Sequence, residues 1–392
     1  MAITAPTPVA ACNIGGITLH SFAGIGSGEG EIAEMIRRIR RDMAAMDRWL
    51  HTKVLIIDEI SMIDSTLFDK LEVIADTLRD DPRPFGGIRL IVTGDFFRTP
   101  HIPGFNFAFE ALLWHPCVSN GIELREVFRQ KDPDLAVMLN DLRTGRHIRT
   151  TIQAFSRLSR ELSFGDGIEA IEVFSSCGEA ETANNSRLGR IPGATRQFES
   201  TDMLDASLTL QGRETTLNGF MAPRLLELKV GCQVMLIKDM TERLVNGTLG
   251  RVIGFSSTAL SNRNRQHFFR SGNIDKVKDL AWPVVKFILA DGLTQHLLCH
   301  PEEWIMESPN GSVQAARIQV PLVLGWAVSV YKSQGLALDR VKVNLNRTFK
   351  GAQAYAALSR ATSREGLQVT GLDQVRFQVD RKVLNFYNKL RS

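Results

Sequence analysis

Leu55-Ile-Ile-Asp-Glu-Ile-Ser61 is the stretch that decides the fold of this 392-residue chain. The apolar run Val54–Ile57 is typical of a strand buried on both faces of a parallel sheet. Two carboxylates, Asp58 and Glu59, follow at its carboxyl end, where α/β sheets bind their ligands. In nucleotide hydrolysis one such carboxylate can hold Mg²⁺ and the next can orient the attacking water. The structural alternative is that Asp58 caps the following helix and Glu59 is an exposed acid in its first turn.

A second strand of the same kind follows along the chain. Leu67–Leu78 has helical spacing, and the apolar run Arg89–Thr93 leads directly into Gly94-Asp-Phe-Phe97. Strand–helix–strand units of this length predict a doubly wound α/β domain. Because the second strand also ends beside an acid, Asp95, the pattern favours the chemical interpretation of Asp58 and Glu59 over the capping one.

The flanking regions extend this pattern in both directions. Upstream, an extended segment over Ala2–Thr7 precedes one long amphipathic helix. Its apolar positions are Ile32, Ile36, Ile39, Met43, Met46 and Leu50, and its opposite face carries Arg37, Arg38, Arg40 and Arg41. Downstream, the expected elements are a helix over Asp134–Arg143, strands over Gln233–Ile237, Leu249–Phe255 and Pro283–Leu289, strand over Ile318–Val330, a helix around Lys332–Leu336, a strand over Val341–Leu345, a helix over Ala352–Ser359 and a strand over Leu367–Gly371. The middle strands predict a small β domain inserted in an α/β body.

Composition limits the class of protein. Hydrophobic residues make up 44% and charged residues 23%, which is ordinary for a globular protein, and no apolar run is long enough to cross a bilayer. The five scattered cysteines form no CxxC pair, which favours a reducing intracellular compartment. The net charge of the chain is +4, and the basic segment Arg251–Lys278 alone carries +5, with six Lys or Arg against one acid, so the rest of the chain is close to neutral. This segment either binds phosphates or is a solvated loop. Within it, Phe268 and Phe269 either stack on bases or belong to the core of the β insert.

Eight motifs occur along the chain in one order. They are Thr4-Ala-Pro-Thr7, Gly16-Ile-Thr-Leu-His-Ser-Phe-Ala-Gly24, Ile57-Asp-Glu-Ile-Ser-Met62, Gly94-Asp-Phe-Phe97, Val127-Phe-Arg-Gln130, Leu244-Val-Asn-Gly247, Tyr331-Lys-Ser-Gln-Gly335 and Ala354-Tyr-Ala-Ala-Leu-Ser-Arg-Ala-Thr362. This order resembles that of the PIF-type helicases of superfamily one, group B, relatives of the bacterial RecD helicases. The resemblance covers nearly the whole chain and is weakest around Ser163–Gln211.

The resemblance implies an α/β fold with two RecA-like P-loop NTPase domains, the first of them incomplete. A small SH3-like β domain is expected as an insertion in the second. The expected borders are 1–130 for the first domain, 131–243 and 318–392 for the two parts of the second, and 244–317 for the insert.

The family's functional residues carry over to positions of this sequence. With ATP and Mg²⁺ as cofactors, Asp58 would organise Mg²⁺ and Glu59 would be the general base for water attack. Arg129 and Arg360 would reach the γ-phosphate, although any single arginine is more often a surface salt-bridge partner. The positions implied to sense ATP are Asp95, Arg98, Gln130 and Gly335. Those implied to contact single-stranded DNA are Thr7, His20, Ser21, Asn246, Lys332, Ser333 and Gln334.

The implied function is that of an ATP-dependent DNA helicase, five-prime to three-prime, which couples ATP hydrolysis to translocation on single-stranded DNA. Its implied setting is DNA repair, recombination and telomere or genome maintenance in the nucleus or the mitochondrion. The expected partners are single-stranded DNA and forked or structured DNA, with no membrane and no small-molecule substrate other than ATP. A monomer is the favoured oligomeric state.

The sequence also departs from the family's pattern. No Gly-Lys dipeptide occurs in the chain, whereas the family carries a Gly-x4-Gly-Lys-Ser/Thr phosphate loop upstream of the segment that corresponds to Ala2–Thr7. Arg98 stands where the family has a glutamine that senses the γ-phosphate, and Ser175-Ser176 stands near its usual Pro-Thr. We therefore expect an N-terminally truncated motor. The alternatives are a catalytically dead or mobile-element-derived remnant that binds nucleic acid without ATP turnover, and an ATPase switch that acts on protein partners.

Overall fold

The computed structural model describes residues 1–7, 10–11, 14–98, 105–118, 120–205, 213, 216–217, 219–257, 281–289, 291–307, 313–346, 349, 351–372 and 379–391. The chain divides into two compact units. Unit 1 comprises residues 1–126, 306–314 and 378–392, and unit 2 comprises residues 127–305 and 315–377. Most of the basic segment Arg251–Lys278, with Phe268 and Phe269, lies outside the described residues.

The described elements are numbered here in chain order. The strands are β1 (Ala2–Ala5), β2 (Ile17–Thr18), β3 (Val54–Ile57), β4 (Arg89–Val92), β5 (Ile171–Phe174), β6 (Arg196–Glu199), β7 (Thr201–Leu204), β8 (Leu225–Leu228), β9 (Gln233–Leu236), β10 (Leu249–Ser256), β11 (Trp282–Ile288), β12 (Thr294–Leu298), β13 (Glu302–Glu307), β14 (Val313–Gln319), β15 (Leu322–Leu324), β16 (Ala327–Ser329), β17 (Val341–Asn344) and β18 (Leu367–Thr370). The helices are α1 (Leu19–Ala23), α2 (Ile32–Arg41), α3 (Met43–His51), α4 (Ser65–Arg79), α5 (Trp114–Cys117), α6 (Pro133–Thr144), α7 (Ile148–Ser156), α8 (Cys177–Arg190), α9 (Gly351–Leu358) and α10 (Arg381–Arg391). Short 3-10 helices occupy Ile60–Met62, Pro84–Gly87, Phe96–Arg98 and Ala108–Glu110. Within this described part, no helix has the length and apolarity to cross a membrane.

Unit 1 is built on a parallel sheet with the strand order β2-β1-β3-β4. Thr4 pairs with both Ile17 and Ile57, and Ile57 pairs with Val92, so the strands end nearly level with one another. The strands predicted at Val54–Ile57 and Arg89–Thr93 are confirmed, as is the helix predicted over Leu67–Leu78. The burial predicted for the second strand is wrong, because β4 is at the edge of the described sheet and its Ile91 is 43% exposed. Because parallel strands share a direction, the segments that follow all four strands emerge along one edge, which we call the carboxyl edge.

The long amphipathic helix predicted between the glycine-rich loop, residues Gly24–Gly30, and β3 is wrong in its second half. The backbone is extended at Asp42, which ends α2, and the Asp42 carboxylate accepts a hydrogen bond from the Ala45 N–H at 3.1 Å as the N-cap of α3. This break rotates α3, so that Met43 is 85% exposed while Trp49 is fully buried. A capping aspartate therefore prevails over the apolar periodicity.

The C-terminal helix α10 groups with unit 1, whereas the sequence-based division assigns 318–392 to the second domain. Its buried residues Val383 and Tyr387 belong to the core of unit 1. Its Phe386 ring stacks on Phe109, with 4.5 Å between ring centroids, and meets the edge of Phe96 at 5.3 Å. Burial of this aromatic face is the physical reason for the grouping.

Unit 2 contains a second parallel sheet with the order β16-β5-β17-β18 and an antiparallel sheet with the order β12-β11-β10-β9-β15. The antiparallel sheet includes β9 and β15, which lie outside the predicted insert 244–317. The helix predicted around Lys332–Leu336 is wrong, because residues 331–335 form successive turns. Gly335 adopts a φ of 86°, which a continuing α-helix does not accommodate.

Candidate functional site

Asp58 lies at the carboxyl edge of unit 1, between β1 and β4. Its backbone N–H donates to the Thr4 carbonyl at 2.8 Å, and its carboxylate accepts a hydrogen bond from the hydroxyl of Thr93, the first residue after β4. The capping interpretation of Asp58 is wrong, since the Asp64 carboxylate caps α4 by accepting from the Leu67 N–H at 2.7 Å. A single half-buried carboxylate is the kind of protein ligand with which Mg²⁺ is usually held alongside water and phosphate oxygens, so Asp58 fits that ion.

Glu59 has an unusual backbone conformation. Its φ of 50° and ψ of 43° lie in the left-handed region, which costs a non-glycine residue about 1–3 kcal/mol. The conformation is held by hydrogen bonds on either side, from the Ile60 N–H to the Thr93 carbonyl at 2.8 Å and from the Met62 N–H to the Glu59 carbonyl at 3.0 Å. The half-buried Glu59 thus stands beside Asp58 at the end of β3, held by the loop that follows β4.

Asp95 is anchored by the C-terminal helix. Its carboxylate accepts hydrogen bonds from the Phe97 N–H at 3.2 Å and from the Tyr387 hydroxyl at 3.4 Å. The Tyr387 ring stacks on Phe97, with 4.6 Å between ring centroids. Arg98 ends the short helix that begins at Phe96, and its side chain lies outside the described residues.

The first three residues predicted to contact DNA also lie along the carboxyl edge of unit 1. The Thr7 hydroxyl accepts from the Ala10 N–H at 3.2 Å, beyond the end of β1. His20 and Ser21 lie in α1, which follows β2, and the Thr18 hydroxyl caps this helix by accepting from the Ser21 N–H at 3.1 Å. His20 is half-buried, and this burial lowers the pKa of its imidazole. The structure therefore brings this set together with Asp58 and Glu59 on one edge of one sheet.

In unit 2, Arg360 is 2% exposed and donates hydrogen bonds within its own unit. Its guanidinium donates to the carbonyl of Ala356 at 2.8 Å and to that of Ser333 at 3.1 Å. The Gln130 amide donates to the carbonyls of Ser359 at 3.1 Å and Ala361 at 3.3 Å, on both sides of Arg360. Three predicted positions, Gln130, Ser333 and Arg360, thus form one hydrogen-bonded group, and the half-buried Arg129 immediately precedes it.

The residues predicted to contact DNA in the turns after β16 differ in their solvent exposure. Ser333 is fully buried, and its hydroxyl donates to the Val330 carbonyl at 2.9 Å, so in this conformation it shapes the turn. Lys332 is half-buried, with its Nζ 3.8 Å from a Glu181 carboxylate oxygen. Gln334 is half-buried and Gly335 is exposed.

Asn246 lies in a separate turn of unit 2. Its backbone N–H donates to the Asp239 carboxylate at 2.7 Å. Its side-chain oxygen is buried and finds no hydrogen-bond donor in the part of the chain that the structure describes.

Comparison with known proteins identifies the family. The profile described as PIF1-like helicase matches residues 1–155, and the profile described as DNA helicase Pif1, 2B domain, matches residues 214–255. ATP-dependent DNA helicase PIF1 of Emericella nidulans is 47% identical over 420 residues, covering 100% of this chain and 56% of that protein. The crystal structure of the Pif1 helicase from Candida albicans is 43% identical with a TM-score of 0.75, covering 99% of this chain and 88% of that one. The chain belongs to the PIF1-like helicase family.

Membership of the PIF1-like family confirms the predicted fold class, an α/β protein with two RecA-like domains and a further domain. A structure of the Bacteroides Pif1 helicase in complex with ADP-AlF3 and ssDNA shares this fold at 24% identity and a TM-score of 0.58, covering 100% of this chain and 87% of that one. The chain spans about half the length of the curated relatives it matches, with 56% of one and 51% of another. The domain borders and the residue roles remain predictions.

Several residues that shape the PIF1-like site are not among the predicted ones. Arg48 donates to the carbonyls of Phe22 at 2.7 Å and Ser21 at 2.8 Å, and the Trp49 indole donates to the Ala23 carbonyl at 3.0 Å. These bonds satisfy the last carbonyls of α1, which otherwise lack partners. The polar residues of an amphipathic helix look alike in sequence, and only the presence of Arg48 within a partly apolar helix offers a weak signal.

Proposed function

We propose that this PIF1-like chain is the body of an ATP-dependent DNA helicase that couples ATP hydrolysis to translocation on single-stranded DNA. The observation that supports this most directly is the shared carboxyl edge of unit 1. Asp58 and Glu59 follow β3, Thr7 follows β1, and β1 pairs directly with β3. A movement of Asp58 on loss of phosphate would be passed directly to the segment that contacts the DNA, because the Asp58 N–H is bonded to the Thr4 carbonyl, three residues before Thr7.

In the proposed reaction, Glu59 accepts a proton from the attacking water, and Asp58 is the residue that would hold Mg²⁺. When bound, Mg²⁺ neutralises charge on the phosphate oxygens. The Thr93 hydroxyl orients Asp58 by occupying one carboxylate oxygen, which leaves the other for the ion. Asp95 and Arg98 follow the neighbouring strand and are proposed to respond to the γ-phosphate.

Arg129 and Arg360 are the proposed charge stabilisers of the transition state. In the present conformation one terminal nitrogen of the Arg360 guanidinium donates to the Ser333 carbonyl, and we propose that this nitrogen exchanges that partner for a phosphate oxygen. This exchange would release the turn that carries Lys332 and Gln334 and would change their contact with the DNA strand. The Gln130 amide donates to the carbonyls on both sides of Arg360, so we propose that Gln130 responds to the same movement of Arg360.

The proposed substrates are single-stranded DNA and forked or structured DNA, with movement from five-prime to three-prime. The residues proposed to contact the DNA strand are Thr7, His20, Ser21, Asn246, Lys332, Ser333 and Gln334. The proposed setting is repair, recombination and telomere or genome maintenance in the nucleus or the mitochondrion, by a monomer.

Two measurements test this proposal. Binding of a fluorescent oligothymidine by the chain should weaken as salt rises. Joined to the genomic segment that encodes the family's phosphate loop, the chain should hydrolyse ATP in a DNA-stimulated manner. In that longer protein Glu59→Gln should abolish turnover while ATP still binds. Unchanged turnover would refute the base assignment, and absence of oligothymidine binding by either protein would refute the helicase assignment.

One observation favours a second candidate, a nucleic-acid-binding remnant without turnover. Arg98 stands where the family has a sensing glutamine. Genomic DNA before the codon of Met1 separates the candidates, because only the helicase requires a loop of the Gly-Lys-Ser/Thr type encoded there. In the longer protein, Arg98→Gln should raise DNA-coupled turnover if Arg98 is a defect.

A further inference from the structure

A cluster of cations on α2 has no part in the proposed ATP or single-strand sites. Arg37, Arg38, Arg40 and Arg41 are all exposed, while Met35, Ile36 and Ile39 on the opposite face are buried in the core of unit 1. Among the ten residues of α2, four arginines stand against one acid, Glu34, a net charge of +3. No described residue forms an ion pair with any of these arginines.

Three of these arginines, Arg37, Arg38 and Arg41, line one side of a groove in unit 1. Its other side is the glycine-rich loop, where Gly26 adopts a φ of 68° and lies so close to the Arg38 guanidinium that a Cβ there would come within 2.3 Å of it. The groove is lined by Ile25, Ser27, Met35, Arg37, Arg38 and Arg41, together with the acids Glu29 and Glu34. Glycine at position 26 keeps this side of the groove free of side-chain bulk.

We propose that this groove, the α2 arginine groove, binds the phosphate backbone of duplex DNA. The inference rests on the proposed helicase function, since a motor that separates strands meets a duplex ahead of the single strand. Arg37 and Arg41 lie one turn apart on the helix, a rise of about 6 Å, so their guanidinium groups can reach successive phosphates of one strand.

The composition of the α2 arginine groove favours a duplex over a single strand. Proteins that bind single strands interleave cations with aromatic side chains on which unpaired bases stack. Among the residues that the structure describes, none that lines this groove is aromatic. Duplex DNA presents one negative charge per about 1.7 Å of its axis, about twice the linear charge density of one strand, and it keeps its bases stacked inside. Exposed arginines without neighbouring aromatic rings are therefore suited to bind the phosphates on the outside of a duplex.

The test compares two triple variants of the full chain. Arg37→Gln/Arg38→Gln/Arg41→Gln removes the groove cations, and glutamine preserves helix propensity. The matched control, Arg146→Gln/Arg149→Gln/Arg157→Gln, removes the same charge from exposed arginines in and beside α7. Both are titrated over a range of salt concentrations against a blunt fluorescent duplex and against oligothymidine. A third variant, with lysine at the three groove positions, keeps the charge and reports on folding.

We expect the groove variant to lose duplex affinity at least tenfold at low salt. We also expect the slope of log affinity against log salt to become shallower by up to about 2.7, from about 0.9 per lost phosphate contact. The control and lysine variants should keep most of the duplex binding, and oligothymidine affinity should be equal in the groove and control variants. Equal duplex losses in groove and control variants would overturn the inference, as would a larger loss for oligothymidine than for duplex. Failure of the unmodified chain to bind oligothymidine would count instead against the proposed function.

Discussion

Arg48 offers a test of how helix α1, which carries the proposed DNA contacts His20 and Ser21, is held in place. Its guanidinium donates to the carbonyls of Phe22 at 2.7 Å and Ser21 at 2.8 Å, and Arg48→Met removes both bonds while keeping an unbranched side chain. A hydrogen bond to a charged group contributes about 1.5–3 kcal/mol. Because Arg48 is half-buried and water can replace part of its contribution, we expect a loss of about 2–3 kcal/mol from both bonds together.

The loss should be local, and amide hydrogen exchange measures it directly. The Ser21 and Gly24 amides, which are bonded within α1 and its caps, should exchange about 30 to 140 times faster in Arg48→Met, since 1.4 kcal/mol corresponds to a factor of ten. The exposed Arg40→Met on the neighbouring helix is the control. If both variants leave these amides at the wild-type rate, Arg48 does not hold α1, and the hydrogen bonds contribute nothing measurable.

Three further predictions concern charge and burial. Burial lowers the pKa of His20 below its ordinary 6.5, so below that pH the unfolded chain gains a proton that the folded chain does not. The free energy of unfolding should therefore fall as pH drops through and below 6.5. Urea unfolding midpoints measured across this pH range should show that His20→Gln removes this part of the pH dependence. Arg317 is buried and bonded to the Asp202 carboxylate at 2.7 Å, so Arg317→Met should cost about 3–5 kcal/mol in urea unfolding, whereas adding Asp202→Leu should restore most of it. Burial raises the pKa of Cys299 to about 12, so iodoacetamide at about pH 8 should label the half-buried Cys177 before Cys299, as peptide mass spectrometry would show. Faster labelling of Cys299 would contradict its placement in the core.

The strands of the first sheet were predictable because their signal is local. An uninterrupted apolar run is typical of a strand in a parallel sheet, and both Val54–Ile57 and Arg89–Val92 carry that signal. The run does not show how deeply the strand is buried: β3 is internal in the described sheet, whereas β4 lies at its edge and leaves Ile91 43% exposed. The position of Asp58 follows from the same logic, because a residue directly after such a strand must emerge at the carboxyl edge.

Contacts between residues far apart in sequence were not predictable in this way. The Tyr387 hydroxyl meets Asp95 across 292 positions, and the Gln130 amide meets the carbonyl of Ser359 across 229. Nothing in the local pattern of α10 indicates that its aromatic face belongs to unit 1 rather than to the unit that precedes it in sequence. The break at Asp42 differs from these cases, because the sequence does contain its cause, a helix-capping aspartate. The apolar periodicity on both sides of Asp42 predicts a continuous helix in spite of that aspartate.

The backbone at Glu59 bears on the choice between a motor and a DNA-binding remnant. The left-handed conformation costs about 1–3 kcal/mol, and glycine in its place would avoid that cost. Three other described non-glycine residues have a positive φ: Asp80 at the end of α4, Phe85 in the short 3-10 helix Pro84–Gly87, and His147 directly before α7. Glu59 differs from them in its place, because it follows Asp58 at the carboxyl end of β3 and sets a second carboxylate there. A hydrolase needs both acids in place, so this conformation is the one that the proposed motor requires.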